Sequence, residues 1–483
     1  MKSFSDFRTL VSFLICFLLS GMVSCQRSEH RNVGDNRQKK EKPLMKDFIG
    51  INGHFHFKPE LYGQVTRLVR NYHNVNWDVE KPGDEITLPV GVNKVNWEDH
   101  VYGPWKEKGF ETDICIQFSG YAPPEPDYQS FWIDKEDWMY EYGKAMSSFF
   151  GPSGERKLST SMEIGNEPGN RFEASLFRTL FTTMARGIRD GDPEMKILTP
   201  TVHARQGNDY SQDLNSIYKD TDVLPLYDVI NVHIYADLSE KEPGKSPWNR
   251  TYPEDPATEY LQIVDEIVDW RNLNAPGKEI WVTEFGYDAC TPEVMNQREG
   301  WALTLDWQGV SDLQQAQYII RSLFHFAERD VDRAYIYYYD DSNEPSTHAS
   351  AGLTRNFEPK MSFWAVRQLY RLLGEYCFVE IVPQTGTEKN PVLVYAFRHD
   401  EDPGKVIWAV WSPTGTPSHM KDDYIPRSFI ANLRNLPGTP IDVVSMSTSS
   451  DEGNEEKPQW EIEDSAIAVT VSESPLYIIF NEY

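Results

Sequence analysis

Between residues 46 and 375 the sequence switches repeatedly between two hydrophobic periods, and this alternation limits the fold more than any other feature. Short apolar runs read as strands: Phe48–Ile51, Val69–His73, Thr112–Phe118, the run ending at Glu167, Lys196–Pro200, Asp228–Tyr235, Ile280–Glu284 and Ala334–Asp341. Segments with apolar residues three and four apart follow them and read as helices. Pro59 opens one, with Leu61, Val65, Leu68 and Val69 on a face; others cover Trp97–Trp105, Trp138–Phe150, Phe177–Ile188, Tyr260–Val268, Leu313–Ala327 and Phe363–Leu373. Eight strand runs alternating with helical segments in this length predict a (β/α)8 barrel, an α/β fold. After Glu375 the helical period disappears. The runs Val392–Phe397, Val406–Trp411, Ile441–Ser445, Ala466–Val471 and Leu476–Phe480 predict an antiparallel β-sandwich over 376–483.

The N-terminus lies outside this pattern. Lys2 and Arg8 precede the apolar run Leu10–Leu19, and Gly21-Met22-Val23-Ser24-Cys25 follows. That order predicts a signal peptide over 1–25 that is cleaved before Cys25, with lipidation of the Cys25 thiol. An exported bacterial lipoprotein of the cell envelope is expected, held to a membrane by its lipid. Residues 26–45 are polar and charged and predict a flexible tether. Cys115, Cys290 and Cys377 remain, too few and too far apart for a disulfide framework or a Cys-x-x-Cys metal site, so buried thiols are expected. The net charge of −27 argues against nucleic acid as a partner.

Two strands end on a glutamate. Ser161-Met162-Glu163-Ile164-Gly165-Asn166-Glu167-Pro168 cannot continue as strand through Pro168, which lacks an N–H, so Glu167 lies at the strand's C-terminal end. Ile280-Trp281-Val282-Thr283-Glu284-Phe285-Gly286 places Glu284 in the same position on another strand. That end of a barrel carries the chemistry. Two carboxyl groups facing one another there match what glycosidic bond cleavage needs: one protonated to give its proton to the leaving oxygen, one ionised to attack the anomeric carbon. Neither a cofactor nor a metal enters this chemistry, and His54, His56 and His73 have no ligand spacing. The expected partner is a carbohydrate, and an aromatic content of 13% suits sugar stacking as well as a core.

Gly165-Asn166-Glu167-Pro168 and Thr283-Glu284-Phe285-Gly286, at the ends of the fourth and seventh strands, resemble the clan A glycoside hydrolases. Val69-Arg70-Asn71-Tyr72-His73 and the trailing sandwich point within that clan to family 39 and its relatives. The resemblance implies retaining hydrolysis of a β-glycosidic bond by double displacement. It implies Glu167 as acid/base, Glu284 as nucleophile, Asn166 at the sugar 2-hydroxyl, and Arg70, His233 and Tyr235 in support. His73 and Trp77 are further candidates for sugar contact, Trp77 as a platform or as loop packing. Tyr337, Tyr338 and Tyr339 alternate faces if the eighth strand is regular, and Tyr338 is the candidate for the site. Glu163, inside its strand, reads as structural. The rival to a hydrolase is an inactive glycan-binding lipoprotein on the same barrel, which has no need of both glutamates.

Overall fold

The eight strand-like runs form a closed parallel wall, seen here in a computed structural model of the chain. The structure describes residues 41–118, 128–168, 172–204, 214–238, 249–289, 309–341, 350–450 and 457–481. Cys25, the signal, most of the tether, Cys290 and the Pro-rich stretch 122–126, which the sequence reads as a loop, lie outside them.

The strands run in order around the barrel: Ile49–Gly53 (β1), Leu68–Asn74 (β2), Glu111–Gln117 (β3), Ser161–Ile164 (β4), Lys196–Leu198 (β5), Val202–Ala204 (β6), Val229–Ile234 (β7), Glu279–Phe285 (β8) and Arg333–Ile336 (β9). β1 pairs with both β2 and β9, and Leu198 of β5 meets Val229 of β7, so no edge is left open. β5 and β6 are two halves of one stave. The break falls at Pro200, which cannot donate to a ladder. β5 pairs with β4, and β6 pairs with β7. A parallel barrel covered by helices buries both faces of each strand, which is why β1, β4 and β7 are buried throughout.

Five long helices in the described residues cover the wall: Glu136–Phe150, Ala174–Gly191, Tyr260–Asn274, Asp312–Glu328 and Met361–Leu373. Two expectations change. The helix opened by Pro59 closes after one turn, Pro59–Tyr62, and Leu68 and Val69 belong to β2 instead. Their apolar side chains serve the two-sided burial of a strand, which a spacing of three and four imitates over so short a run. The eighth stave stops at Ile336; Asp340–Asp341 pairs with Thr354–Arg355 in a small separate sheet, so Tyr337–Tyr339 do not alternate along a strand.

From Tyr376 onward the chain forms two antiparallel sheets. One has five strands, Tyr376–Ile381, Leu393–His399, Val406–Trp411, Leu476–Asn481 and Thr439–Ser445 in spatial order. The other holds Ser428–Leu433, Ala466–Ser472 and Trp460–Glu463. Between them lies a core built on Val394, Trp408, Val410, Val443, Val469 and Ile478. The opposite face of the five-stranded sheet, with Tyr395, Phe397, Trp411 and Tyr477, packs into the barrel's own core. Lys42–Tyr483 is accordingly one compact unit. Among the described residues no helix is long and apolar enough to cross a membrane.

Candidate active site

The mouth of the barrel is built upward from Arg70. Its guanidinium lies inside the wall, fully buried, and has a partner on every nitrogen. Nε donates to Glu163 Oε2 at 2.7 Å and Nη2 to Glu163 Oε1 at 2.9 Å. Nη2 also reaches Asn166 Oδ1 at 2.8 Å and Cys115 Sγ at 3.2 Å. Nη1 donates to Asn52 Oδ1 and to Glu284 Oε1, each at 2.7 Å. Burial opposes a charged guanidinium, but the surrounding anions outweigh it and hold Arg70 protonated well above its ordinary range.

Glu284 is set by a bulge. Val232 of β7 faces Val282 of β8, but His233 faces Glu284, so Thr283 is an extra residue. The bulge lets Thr283 reach Asn231 while Glu284 still enters the mouth. Behind it, Gly286 leaves room for the Tyr337 carbonyl, which a Cβ would meet at 2.3 Å. The Glu284 carboxylate takes three donors: Arg70 Nη1, Tyr72 Oη at 2.5 Å on Oε1, and Tyr235 Oη at 3.0 Å on Oε2. Burial raises the Tyr72 and Tyr235 phenols well above their usual range, and the nearby Glu284 charge adds to this, so both remain donors.

Glu167 arrives by a different device. β4 stops at Ile164; Gly165 turns with φ 93°, and Glu167 itself has φ 40°. A left-handed backbone at a residue with a Cβ costs about 1–2 kcal/mol, and such strain collects at working sites. Its side chain is 34% exposed, against 6% for Glu284, so one faces the opening and the other is recessed. His233, fully buried, links them: Nδ1 lies 2.8 Å from Glu167 Oε1 and 3.5 Å from Glu284 Oε2. One ligand atom from each of the three residues lies within 4.8 Å of the others. A divalent ion in that triangle would face the Arg70 guanidinium already bound to Glu284, so the set suits proton transfer better than metal binding.

The structure thus brings Glu167, Glu284, Asn166, Arg70, His233 and Tyr235 to one place. His73 is not among them. It follows Arg70 by three positions and faces outward, where Nδ1 meets Tyr102 Oη at 2.9 Å and Nε2 meets Asp78 Oδ2 at 2.8 Å, with no exposure. A sugar-contacting role for His73 is therefore corrected to a structural one, because alternation along β2 turns Arg70 and Tyr72 inward and His73 away. Trp77 lies half-buried beyond β2. It stacks on Trp97 at 5.5 Å between centroids and meets the edges of His54 and Phe55. Tyr338 is half-buried beyond the end of β9. Burial and the Glu284 charge together raise the phenol of its neighbour Tyr337 well above the usual range. Tyr72 is a residue of this site that sequence reasoning missed. Tyr72 could have been found by counting two from Arg70.

No protein-family profile and no curated protein sequence matches the chain. Solved structures do. One is a family 39 glycoside hydrolase from the gut symbiont Bacteroides cellulosilyticus WH2, at a TM-score of 0.62 and 14% identity, covering 91% of this chain and 81% of that one. A glucosidase from Croceicoccus marinus gives 0.59 and 13%, covering 92% and 98%. A family 51 arabinofuranosidase from Xanthomonas axonopodis pv. citri gives 0.56 and 11%, covering 92% and 97%. The chain has the barrel-and-sandwich fold that these clan A glycoside hydrolases share.

Proposed function

We propose that the protein is a retaining glycoside hydrolase that cleaves β-glycosidic bonds of an oligosaccharide or polysaccharide. The observation that carries this reading is the pair itself: Glu284 accepting hydrogen bonds from three donors, with Glu167 close enough for an oxygen of each to lie within 4.8 Å. Retaining enzymes place their carboxyl groups about 5–5.5 Å apart, and inverting ones leave roughly 6.5–9.5 Å for a water.

In this reading a Glu284 oxygen attacks the anomeric carbon. The bond to the leaving oxygen breaks, and Glu167 gives that oxygen its proton. Glu167, now ionised, then takes a proton from the water, or from a sugar hydroxyl in transglycosylation, that displaces Glu284. His233 Nδ1 supports the change of role by its hydrogen bond to Glu167. Arg70 occupies Asn166 Oδ1, which turns the Asn166 amino group toward the mouth, where it donates to a sugar hydroxyl. Trp77 and the tyrosines after β9 supply ring faces for further sugar units.

A hydrolysis screen over plant, algal and host glycans, read by product chromatography, tests the activity. NMR of the first-formed product tests the stereochemistry, and net retention is expected. Inversion would overturn the mechanism; binding of a glycan with no product would favour the inactive lipoprotein. We also propose export and anchoring through Cys25. Cys25→Ser should move the protein to the soluble fraction, and an N-terminal peptide without acyl mass in the wild type would overturn the anchor.

A further inference from the structure

The reaction as written gives no task to Glu163. This carboxylate is fully buried, is paired with Arg70 through both oxygens, and accepts a third hydrogen bond from Thr201 Oγ1 at 3.0 Å. Burial alone would push its proton affinity up, but Arg70 outweighs that and holds it below the usual carboxylate range. As a fastening it is a poor choice. Burying an ion pair costs several kcal/mol of desolvation per ion, and apolar side chains of the same volume hold a core at least as well.

A better reason appears when charge is followed through the cycle. Arg70 is shared between two anions, Glu163 on one side and Glu284 on the other. Glu284 keeps its charge for only part of the cycle. When its oxygen bonds to the anomeric carbon, the glycosidic electron pair leaves with the departing oxygen, which takes the Glu167 proton, and Glu284 becomes a neutral ester. Arg70, with no exposure to water, loses that counter-charge at the same moment. Glu163 does not react and stays ionised.

We propose that Glu163 is a positioning residue that serves as the permanent counter-ion of Arg70, keeping the guanidinium paired and in place while Glu284 is esterified. This inference rests on the glycosidase reading above. It makes a claim that a merely structural role does not. With Glu163 neutral, Arg70 turns its whole charge on Glu284 and favours the free carboxylate over the ester. The first step, which consumes the carboxylate, should slow, and the second, which regenerates it, should quicken.

The test is rapid-mixing kinetics of Glu163→Gln on an activated aryl β-glycoside of the sugar found in the screen. The rate of the aryl alcohol burst should fall by about tenfold or more, the size expected when one charged contact to a reacting group is altered, while the deglycosylation rate holds or rises. The acidic limb of kcat/KM should move to lower pH, because removing a nearby negative charge makes Glu284 easier to ionise. Glu163→Asp, which draws the charge back by one methylene, should give the same pair of changes in smaller measure, and it serves if the glutamine variant does not fold. Equal slowing of both steps, or no change in either, would overturn the proposal. If the wild type cleaves no glycan, the glycosidase reading fails on its own. Carboxyl 13C NMR of Glu284 then decides the charge coupling without turnover: its titration midpoint should fall in Glu163→Gln, and an unmoved midpoint overturns the coupling.

Discussion

Among the described residues two arginines are buried against glutamates, and the difference between the two clusters separates chemistry from fastening. At the mouth, Arg70 pairs with Glu163 and Glu284, and the cluster opens through Glu284 and Glu167 toward the substrate side. On the barrel's flank, Arg321 of the helix Asp312–Glu328 pairs with Glu254, and the cluster is closed by the sandwich. Arg321 Nη1 donates to the Thr414 carbonyl at 2.8 Å, and Trp411 Nε1 donates to Glu254 Oε1 at 2.9 Å. His325 Nε2 meets the same oxygen at 2.8 Å, and its Nδ1 meets Tyr395 Oη at 2.9 Å. A neutral imidazole with its proton on Nε2 satisfies both contacts, and burial lowers the His325 pKa in the same sense. The flank cluster is complete: its carboxylate is covered by donors from barrel and sandwich alike. At the mouth, by contrast, His233 Nε2 is buried with no hydrogen-bond partner among the described residues and Glu167 is one-third exposed. A complete network holds two layers together, whereas an incomplete one leaves groups for a substrate to satisfy.

The sharpest way to separate the clusters is Glu284→Gly. Turnover should fall by about four orders of magnitude or more, as for other covalent nucleophiles. Added azide should restore part of it as a glycosyl azide of inverted configuration, seen by NMR, with the melting temperature little changed. The flank should answer the other way. Glu254→Ala leaves Arg321 buried without its anion and should cost about 3–5 kcal/mol of stability in urea unfolding, while each folded molecule keeps its kcat.

Tyr235→Phe should come next in size at the mouth. Losing one donor to Glu284 should lower kcat by about one to three orders of magnitude, the range for lost transition-state hydrogen bonds. Unchanged kinetics would place Tyr235 outside the chemistry. The smallest effect is on pH. Burial opposes the Glu254 charge, but Arg321 outweighs burial and holds the folded-state pKa below the usual carboxylate range; for His325 burial does the lowering directly. Both shifts contribute stability that is present above the unfolded values, about 4.3 for Glu and 6.5 for His, and is lost as pH falls through the folded ones. Stability of the wild type should therefore decline on acidification from about pH 6.5 downward, and Glu254→Gln should flatten the part below about pH 4.3.

Much of the architecture was legible because period is a local property. Each apolar run and each stripe at three-and-four spacing is written in consecutive residues, so the barrel's alternation and the change to strands after Glu375 could be read directly. That β4 and β8 end close to glutamates was legible for the same reason. Pro168 cannot extend a ladder whatever surrounds it, although β4 already stops at Ile164, where Gly165 turns with φ 93°. Where the reading went astray, the apolar pattern carried no information about direction. In the run Val69-Arg70-Asn71-Tyr72-His73 both faces of the strand are buried, so hydrophobicity does not say which parity looks inward. Tyr337, Tyr338 and Tyr339 do not alternate along a strand because Ile336, not Asp341, ends the stave.

By itself, then, the sequence determined the class of fold, the order of its elements and the two strand ends that carry glutamates, all properties of residues near one another in the chain. The tertiary structure decided the phase of each strand, the bulge that sets Glu284 opposite His233, and the assembly of Asn52, Arg70, Cys115, Glu163 and Asn166 into one network. Those depend on which staves are neighbours when the barrel closes, and a buried charge finds its partners only when strands far apart in sequence bring them within hydrogen-bond distance.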